Sequence, residues 1–331
     1  MTATTDVRRA AVAAVAACGL VAGCGTTTTG PAAQPTKVHD QHQGQGTQGQ
    51  PIDMVKTTEA DWQQVARALG RPGKLSADGT VYRVGFPRTD LQVTSYGVRI
   101  KPPFALGSYA AFARYADGST MVMGDLVVSE PELPKVTDAL QRRGIAQTAV
   151  HKHLLAHDPD VWWSHLHATG RDPVAIARAI RAALDQTATP APAAPSSPPP
   201  LDLDTQRIDA ALGAKGSNDG GIYKFSFARK ETITSHGRVI NAAMGVNTAL
   251  NFQPTGGGKA AINGDFVMTA GEVQKVIQAL RRGGIDIVEV HQHALDDEPR
   301  LFYMHFWANT DAVRLAVALR AAVDASAVKP A

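Results

Sequence analysis

Thiols are almost missing from this chain: it has two cysteines, Cys18 and Cys24, both near the N-terminus. The rest of the chain therefore has neither a disulfide framework nor a thiolate metal site, and any metal must be held by His, Asp or Glu. Charge is also scarce, at 19% of residues with a formal net charge of only +3, and Lys and Arg are scattered among Asp and Glu. That balance leaves no basic footprint for nucleic acid, which is excluded as a partner. No pairing of His with Ser or Cys suggests a covalent nucleophile, and no Gly-rich loop stands in a phosphate-binding context.

What the N-terminus does contain is Arg8-Arg9 followed by a stretch of small and apolar residues, 10–23. Such a run is too short to span a bilayer as a mature helix and reads as a secretion signal, residues 1–23. It closes on Val21-Ala22-Gly23-Cys24, a lipobox-like sequence in which Cys24 would receive the lipid. Val15-Ala16-Ala17-Cys18 is the weaker competing version. An ordinary cleaved signal with an incidental cysteine is the alternative. Residues 24–56, rich in Gly, Gln, Pro and Thr, read as a disordered stalk, and His39 and His42 within it as solvated bystanders. The expected location is the cell envelope, on the outer face of the cytoplasmic membrane, with the membrane a partner through the Cys24 anchor.

The remaining chain is long enough for two domains, and it repeats itself. Thr94-Ser95-Tyr96-Gly97 matches Thr234-Ser235-His236-Gly237, Gly124-Asp125 matches Gly264-Asp265, and Val150-His151-Lys152-His153 matches Val290-His291-Gln292-His293, all at a constant offset of 140 positions. The copies occupy 57–186 and 204–325, joined by a Pro-rich linker, 187–203. In each, a short helix ends at Gly70 or Gly213, and strand-like runs follow at 81–86, 91–100, 109–115 and 121–128. A helix of 3.6 periodicity closes at Gly144 or Gly284. A hairpin of 145–155 with 161–168 and a last helix, 172–184, complete the unit. This pattern predicts an α+β fold: a β-meander followed by β-α-β-β-α, an antiparallel sheet with helices packed on one face, the two copies forming an intramolecular pseudo-dimer.

Histidines recur with the copies. On a strand His151 and His153 would share one face, and a hairpin centred on Pro159 would set His153 opposite His165 and His151 opposite His167. The same construction around Pro299 sets His293 opposite His305 and His291 opposite Trp307. Several neutral imidazoles on one face suit zinc or another divalent transition metal, so His151, His153, His165, His167, His291, His293 and His305 are the candidate ligands. Asp125 and Asp265 are candidate carboxylate ligands or general bases if their strand neighbours the hairpin. Two alternatives stand beside this: a histidine face packed under a helix or lining a groove, and a Gly-Asp that merely caps or turns the chain. Trp162, Trp163, Phe302, Tyr303 and Trp307 read as core or groove wall.

The segments HKHLLAHDPDVWWSHLHATGRDPVAIARAIRAALD and HQHALDDEPRLFYMHFWANTDAVRLAVALRAAVD, each preceded by MGDL or NGDF, together with the signal and lipobox, resemble the LppY/LpqO family of actinobacterial lipoproteins. That family is built on a domain of unknown function, so the resemblance implies envelope location and tandem architecture and supplies no activity. Its HxH strand, Pro turn and second His-bearing strand fall here on His151, His153 and His165 and on His291, His293 and His305, while Trp307 stands where copy one has His167. Three functional readings follow: a lipid-anchored protein binding a divalent metal or small ligand, a metal-dependent hydrolase or isomerase of an envelope metabolite with Asp125 as base, and a non-catalytic envelope interaction module.

Overall fold

The computed structural model describes residues 49–194 and 197–329. The signal segment, Cys24, Cys18 and the stalk histidines lie outside them. Among the described residues no helix is long and apolar enough to cross a membrane.

Each copy builds a six-stranded sheet. In the first the spatial order is Lys74–Leu75, Val81–Pro87, Gly107–Arg114, Thr120–Ser129, Val161–Gly170 and Ala146–His151, with every neighbour antiparallel. The second repeats it with Ser217–Asp219, Ile222–Ala228, Asn247–Gly256, Lys259–Thr269, Leu301–Asp311 and Asp286–His291. The opening helices Gln63–Leu69 and Thr205–Leu212 stop at Gly70 (φ 76°) and Gly213 (φ 64°), the left-handed position where a residue without Cβ is unstrained. Helices Leu133–Gln141 and Pro173–Leu184, and their mates Ala270–Arg282 and Ala312–Val323, are the longer ones, and copy one adds a single turn, Pro102–Ala105.

Side-chain alternation decides what each sheet face covers. In copy one Tyr82, Val84, Phe86, Ala110, Phe112, Val122, Leu126, Val128 and Leu166 form one core with Val65, Leu69, Val136, Leu140, Ile176 and Ile180 of the helices. The opposite face carries no long helix, only the four-residue Pro102–Ala105 at one end. Val81, Ala111, Ala113, Met121 and Met123 pack there with Ile233, Met244, Val267, Leu301 and Tyr303 of copy two. Val127, Val161 and Trp163 do the same with Ile222, Ala261 and Trp307. The described chain is thus four layers deep, helices, sheet, sheet, helices, and the central strands are buried on both faces. The run Thr120–Ser129 accordingly reads TMVMGDLVVS without polar alternation.

Two expectations are corrected. Residues 91–100 are not a strand of the main sheet: they form a small hairpin, Thr94–Ser95 with Val98–Arg99, which His157–Asp158 joins as a third strand. The Tyr96-Gly97 turn, with φ of 45° and 77°, reverses the chain in two residues. The strand 145–155 ends at His151, and Lys152 to Asp160 leave the sheet instead of making a tight turn at Pro159. Because of that excursion, and a bulge between Gln147 and Ala149, His151 lies opposite Trp163 and Ala149 opposite His165. Tyr303 is likewise the residue opposite His291.

Candidate metal centre

The inter-sheet faces of the two copies meet at their histidines. His165, on Val161–Gly170, lies opposite Asp125 on the neighbouring strand, and His305 opposite Asp265 in copy two, so both aspartates sit within a strand and neither caps a helix. His151 and His291, the last residues of their strands, stack across the two copies with ring centroids 4.0 Å apart and an interplanar angle of 15°. The second histidine of each pair reaches over from its loop. His153 meets His305 at 3.8 Å between centroids and His293 meets His165 at 3.9 Å, the same contact made twice in reciprocal form.

The loops carrying His153 and His293 are fixed by the opposite copy. Asn263 Nδ2 donates to the His153 carbonyl at 2.5 Å, and Thr148 Oγ1 donates to the His293 carbonyl at 2.6 Å. Glu289 accepts from the Lys152 amide at 2.6 Å. Each ring also lies on an aromatic: His153 on Trp163 at 4.4 Å and 7°, His293 on Tyr303 at 3.4 Å and 10°. Trp163 and Tyr303 therefore orient two candidate ligands. The available signal was that position 163 and its partner at the 140-residue offset are both aromatic.

The hydrogen bonds fix the ring state of two more. The carbonyls of Gly124 and Gly264 accept from Nδ1 of His165 (3.2 Å) and His305 (2.7 Å), so Nδ1 carries the proton and the lone pair is on Nε2. Those Nε2 atoms have no partner. Neither do His151 Nδ1, both ring nitrogens of His291, His293 Nε2, and one oxygen each of Asp125 and Asp265, all buried. An unmet buried polar group costs on the order of 1–3 kcal/mol, so this concentration of unpartnered atoms is a large uncompensated cost in the chain by itself. His151 Nε2 and His153 Nε2 face each other at 2.9 Å. Asp125 Oδ2 lies 3.4 Å from His153 Nε2, and Asp265 Oδ2 3.0 Å from His293 Nε2, the latter outside hydrogen-bonding alignment.

Three groupings place one donor atom per residue within 4.8 Å of each other: His151, His153 and His305; Asp265, His291 and His293; and His151, His165 and His291. Of the seven histidines singled out from the sequence, the structure brings six together here, with both aspartates. His167 is the exception. It pairs with Ala146 and Met123, not with His151, and its ring meets His236 at 5.4 Å between centroids.

Burial is the largest influence on every ring of the cluster and pushes each below the ordinary histidine value, with neighbouring imidazoles adding to it at His151, His153, His165 and His291. His293 and His305 fall to about 3. Burial first, and then the Asp125 charge, push Asp265 up to about 7 despite the opposing influence of His305. Neutral imidazoles are the form that binds metal.

A stability prediction for the metal-free protein follows. A histidine at about 3 when folded and 6.5 when unfolded contributes nothing above pH 6.5 and destabilises progressively as pH falls toward 3, by about 1.4 kcal/mol per pH unit each. Asp265 acts with the opposite sign: raised from 3.8 to about 7, it favours the fold below 3.8 and loses that contribution as pH rises to 7. One carboxyl offsets one histidine, and at least one more histidine remains uncompensated. The urea midpoint should therefore drop steadily between pH 6.5 and pH 4.5. A midpoint that stays level across that window would contradict the neutral buried cluster.

A family model described as Domain of Unknown Function (DUF1259) matches the chain twice, over residues 63–186 and 206–325. No curated protein matches. Among solved structures, the chain is similar to the trimeric bacterial microcompartment shell protein PduB, at 14% identity over 78% of this chain and 91% of that one, with a TM-score of 0.20. EtuB from Clostridium kluyveri matches at 12% identity over 76% and 90%, with a TM-score of 0.18. Scores of that size do not establish a shared fold.

Proposed function

The chain belongs to the family described as Domain of Unknown Function (DUF1259), matched in two tandem copies, and with no chemistry attached to that description we propose its function from the site itself: it holds divalent transition metal between its two copies. Each copy supplies one set, His151, His153 and Asp125 on one side and His291, His293 and Asp265 on the other. His305 and His165 cross over to complete the opposite set. Imidazole nitrogen with one carboxylate suits Zn²⁺, Cu²⁺ or Ni²⁺, and the two reciprocal donor sets offer a place for one ion each. The single observation that carries this is the concentration of buried, unpartnered ring nitrogens and carboxylate oxygens in one space.

Burial favours holding the metal over turnover: His151 is 0% exposed, His305 2% and His165 4%. His153 and Asp265 keep the most solvent contact, with side chains 16% and 14% exposed. An exchange route would pass there. The hydrolase or isomerase reading needs Asp125 free to take a proton from a substrate, and at 4% exposure it faces His153 and His165 instead.

We further read the chain as a lipoprotein of the LppY/LpqO type, secreted by its signal segment and anchored through Cys24. The support is the Arg8-Arg9 pair, the apolar stretch and the Val21-Ala22-Gly23-Cys24 sequence. The metal test is direct. Protein stripped with a chelator, dialysed against Zn²⁺ and then exhaustively against buffer, should retain two equivalents in the centre by elemental analysis. Retention of none would overturn the proposal.

A further inference from the structure

His167 has a place of its own. Its ring, on strand Val161–Gly170 of copy one, lies against His236 and Asp296 of copy two, and the three residues offer donor atoms within 4.8 Å of one another. His167 is 5% exposed and its Nε2 has no hydrogen-bond partner. His236 is open to solvent, and its Nδ1 lies 2.7 Å from Asp296 Oδ2. The carboxylate is held in place from below: Oδ1 accepts from Ser235 Oγ at 2.9 Å and Oδ2 from the His236 amide at 2.7 Å.

The duplication supplies a built-in comparison. At the related position on the other side of the molecule stand Trp307, Tyr96 and Ala156, each 140 residues from its counterpart. The turn residue has nearly the same backbone, with Tyr96 at φ 45° and His236 at φ 48°, whereas Ala156 is left-handed (φ 42°) and Asp296 is not. The rings meet in the same way, Tyr96 on Trp307 at 6.3 Å and 39° and His236 on His167 at 5.4 Å and 42°. In copy one the Ala156 carbonyl accepts from the Tyr96 amide, the task that Asp296 performs with its side chain in copy two. So all three positions are polar ligand types on one side and none is on the other. A drift toward polarity at an exposed turn accounts for His236 alone. It does not account for a buried, unpartnered His167 and an Asp296 aimed at the same point.

We propose that His167, His236 and Asp296 form a second, solvent-open site for a divalent transition metal, present on one side of the molecule only and separate from the central cluster. Two imidazoles and a carboxylate form a three-residue ligand set, and the exposure of His236 leaves the remaining positions to water or to a small anionic ligand. This site exchanges its ion with solvent far more readily than the buried centre.

The test uses the full chain without a histidine tag, titrated calorimetrically with Zn²⁺ after the centre has been loaded and free ion removed. Wild type should bind one further, weaker equivalent. His236→Tyr, which installs the residue found at the matching turn on the opposite side, and Asp296→Ala, which removes the carboxylate, should each lose that equivalent or weaken it by about 10–100-fold or more, with the retained central metal unchanged. An undiminished second equivalent in both variants, or none in wild type, would overturn the proposal. The outcome is separable from that of the centre: in a His151→Ala, His291→Ala chain the outer equivalent should survive, and its loss there would show that the two sites are one.

Discussion

Replacing His151 and His291 together by alanine should remove all retained metal, and replacing either alone should remove one equivalent of two. The stepwise result follows from the pairing. Each of these residues stands in only one His-x-His pair, beside Asp125 or Asp265, and the two rings stack on each other at 4.0 Å where the copies meet. Losing a ligand should weaken binding beyond the roughly 10–100-fold that loss of a supporting residue costs. A second readout is thermal. Metal that binds only the folded chain adds about 2.7 kcal/mol when present at a hundred times its Kd, and this increment should vanish in the double variant. Folding is a separate matter, because both rings carry unmet buried nitrogens whose removal offsets part of the cavity left behind. Val150→Ala with Val290→Ala, on exposed neighbours in the same strands, should leave metal content untouched. A double histidine variant that retains two equivalents would end the case for the central site.

How far the sequence reached can be seen residue by residue. The 140-residue offset and the glycine stops at Gly70 and Gly213 follow from local chemistry, and the α+β architecture with tandem copies is what the structure has. The hairpin register was not readable, because it depends on where the chain leaves the sheet. Residues 152–160 depart to pair His157–Asp158 with Thr94–Ser95, an interaction 62 to 64 positions away that no periodicity encodes. A register error then moved His167 next to His151. The meeting of the two copies was also beyond pattern reading, since periodicity tells which face a residue takes and not what covers that face. One signal did exist. A ten-residue strand without alternation, TMVMGDLVVS, has both faces covered, and the long helices account for only one of them. The buried arginines were hidden for a simpler reason. Arg88 and Arg229 make matching contacts, to the Val127 and Val267 carbonyls and to Glu132 and Glu272, but stand 141 positions apart, so a constant-offset alignment passes them by.

The Gly-Asp pair carries the other large effect. A Cβ built on Gly264 would stand 1.9 Å from the Ala249 carbonyl oxygen of the adjacent strand and 3.0 Å from Phe306 Cζ, and one on Gly124 would stand 2.4 Å from the Tyr109 carbonyl oxygen. The obstacle is backbone within a sheet, so no side chain can rotate away. Relief requires parting Asn247–Gly256 from Lys259–Thr269 beside the Asp265↔Ala249 pair. Overpacking of this kind costs about 3 kcal/mol or more, and Gly264→Ala should lower Tm by roughly 6–12 °C for a protein of this size. Gly271→Ala is the contrast, at a helical position with nothing within 4 Å, and it should be neutral or stabilising by up to about 1 kcal/mol. The glycine substitution should also reach the metal centre. Gly264 supplies the carbonyl that accepts the hydrogen bond from His305 Nδ1 at 2.7 Å, so parting the strands releases the ring from the tautomer that presents Nε2 inward. Zinc retention should then fall in Gly264→Ala under conditions where the chain is still folded by circular dichroism. An alanine variant with wild-type Tm and full metal content would mean that these two strands do not approach as closely as the Ala249–Asp265 register requires.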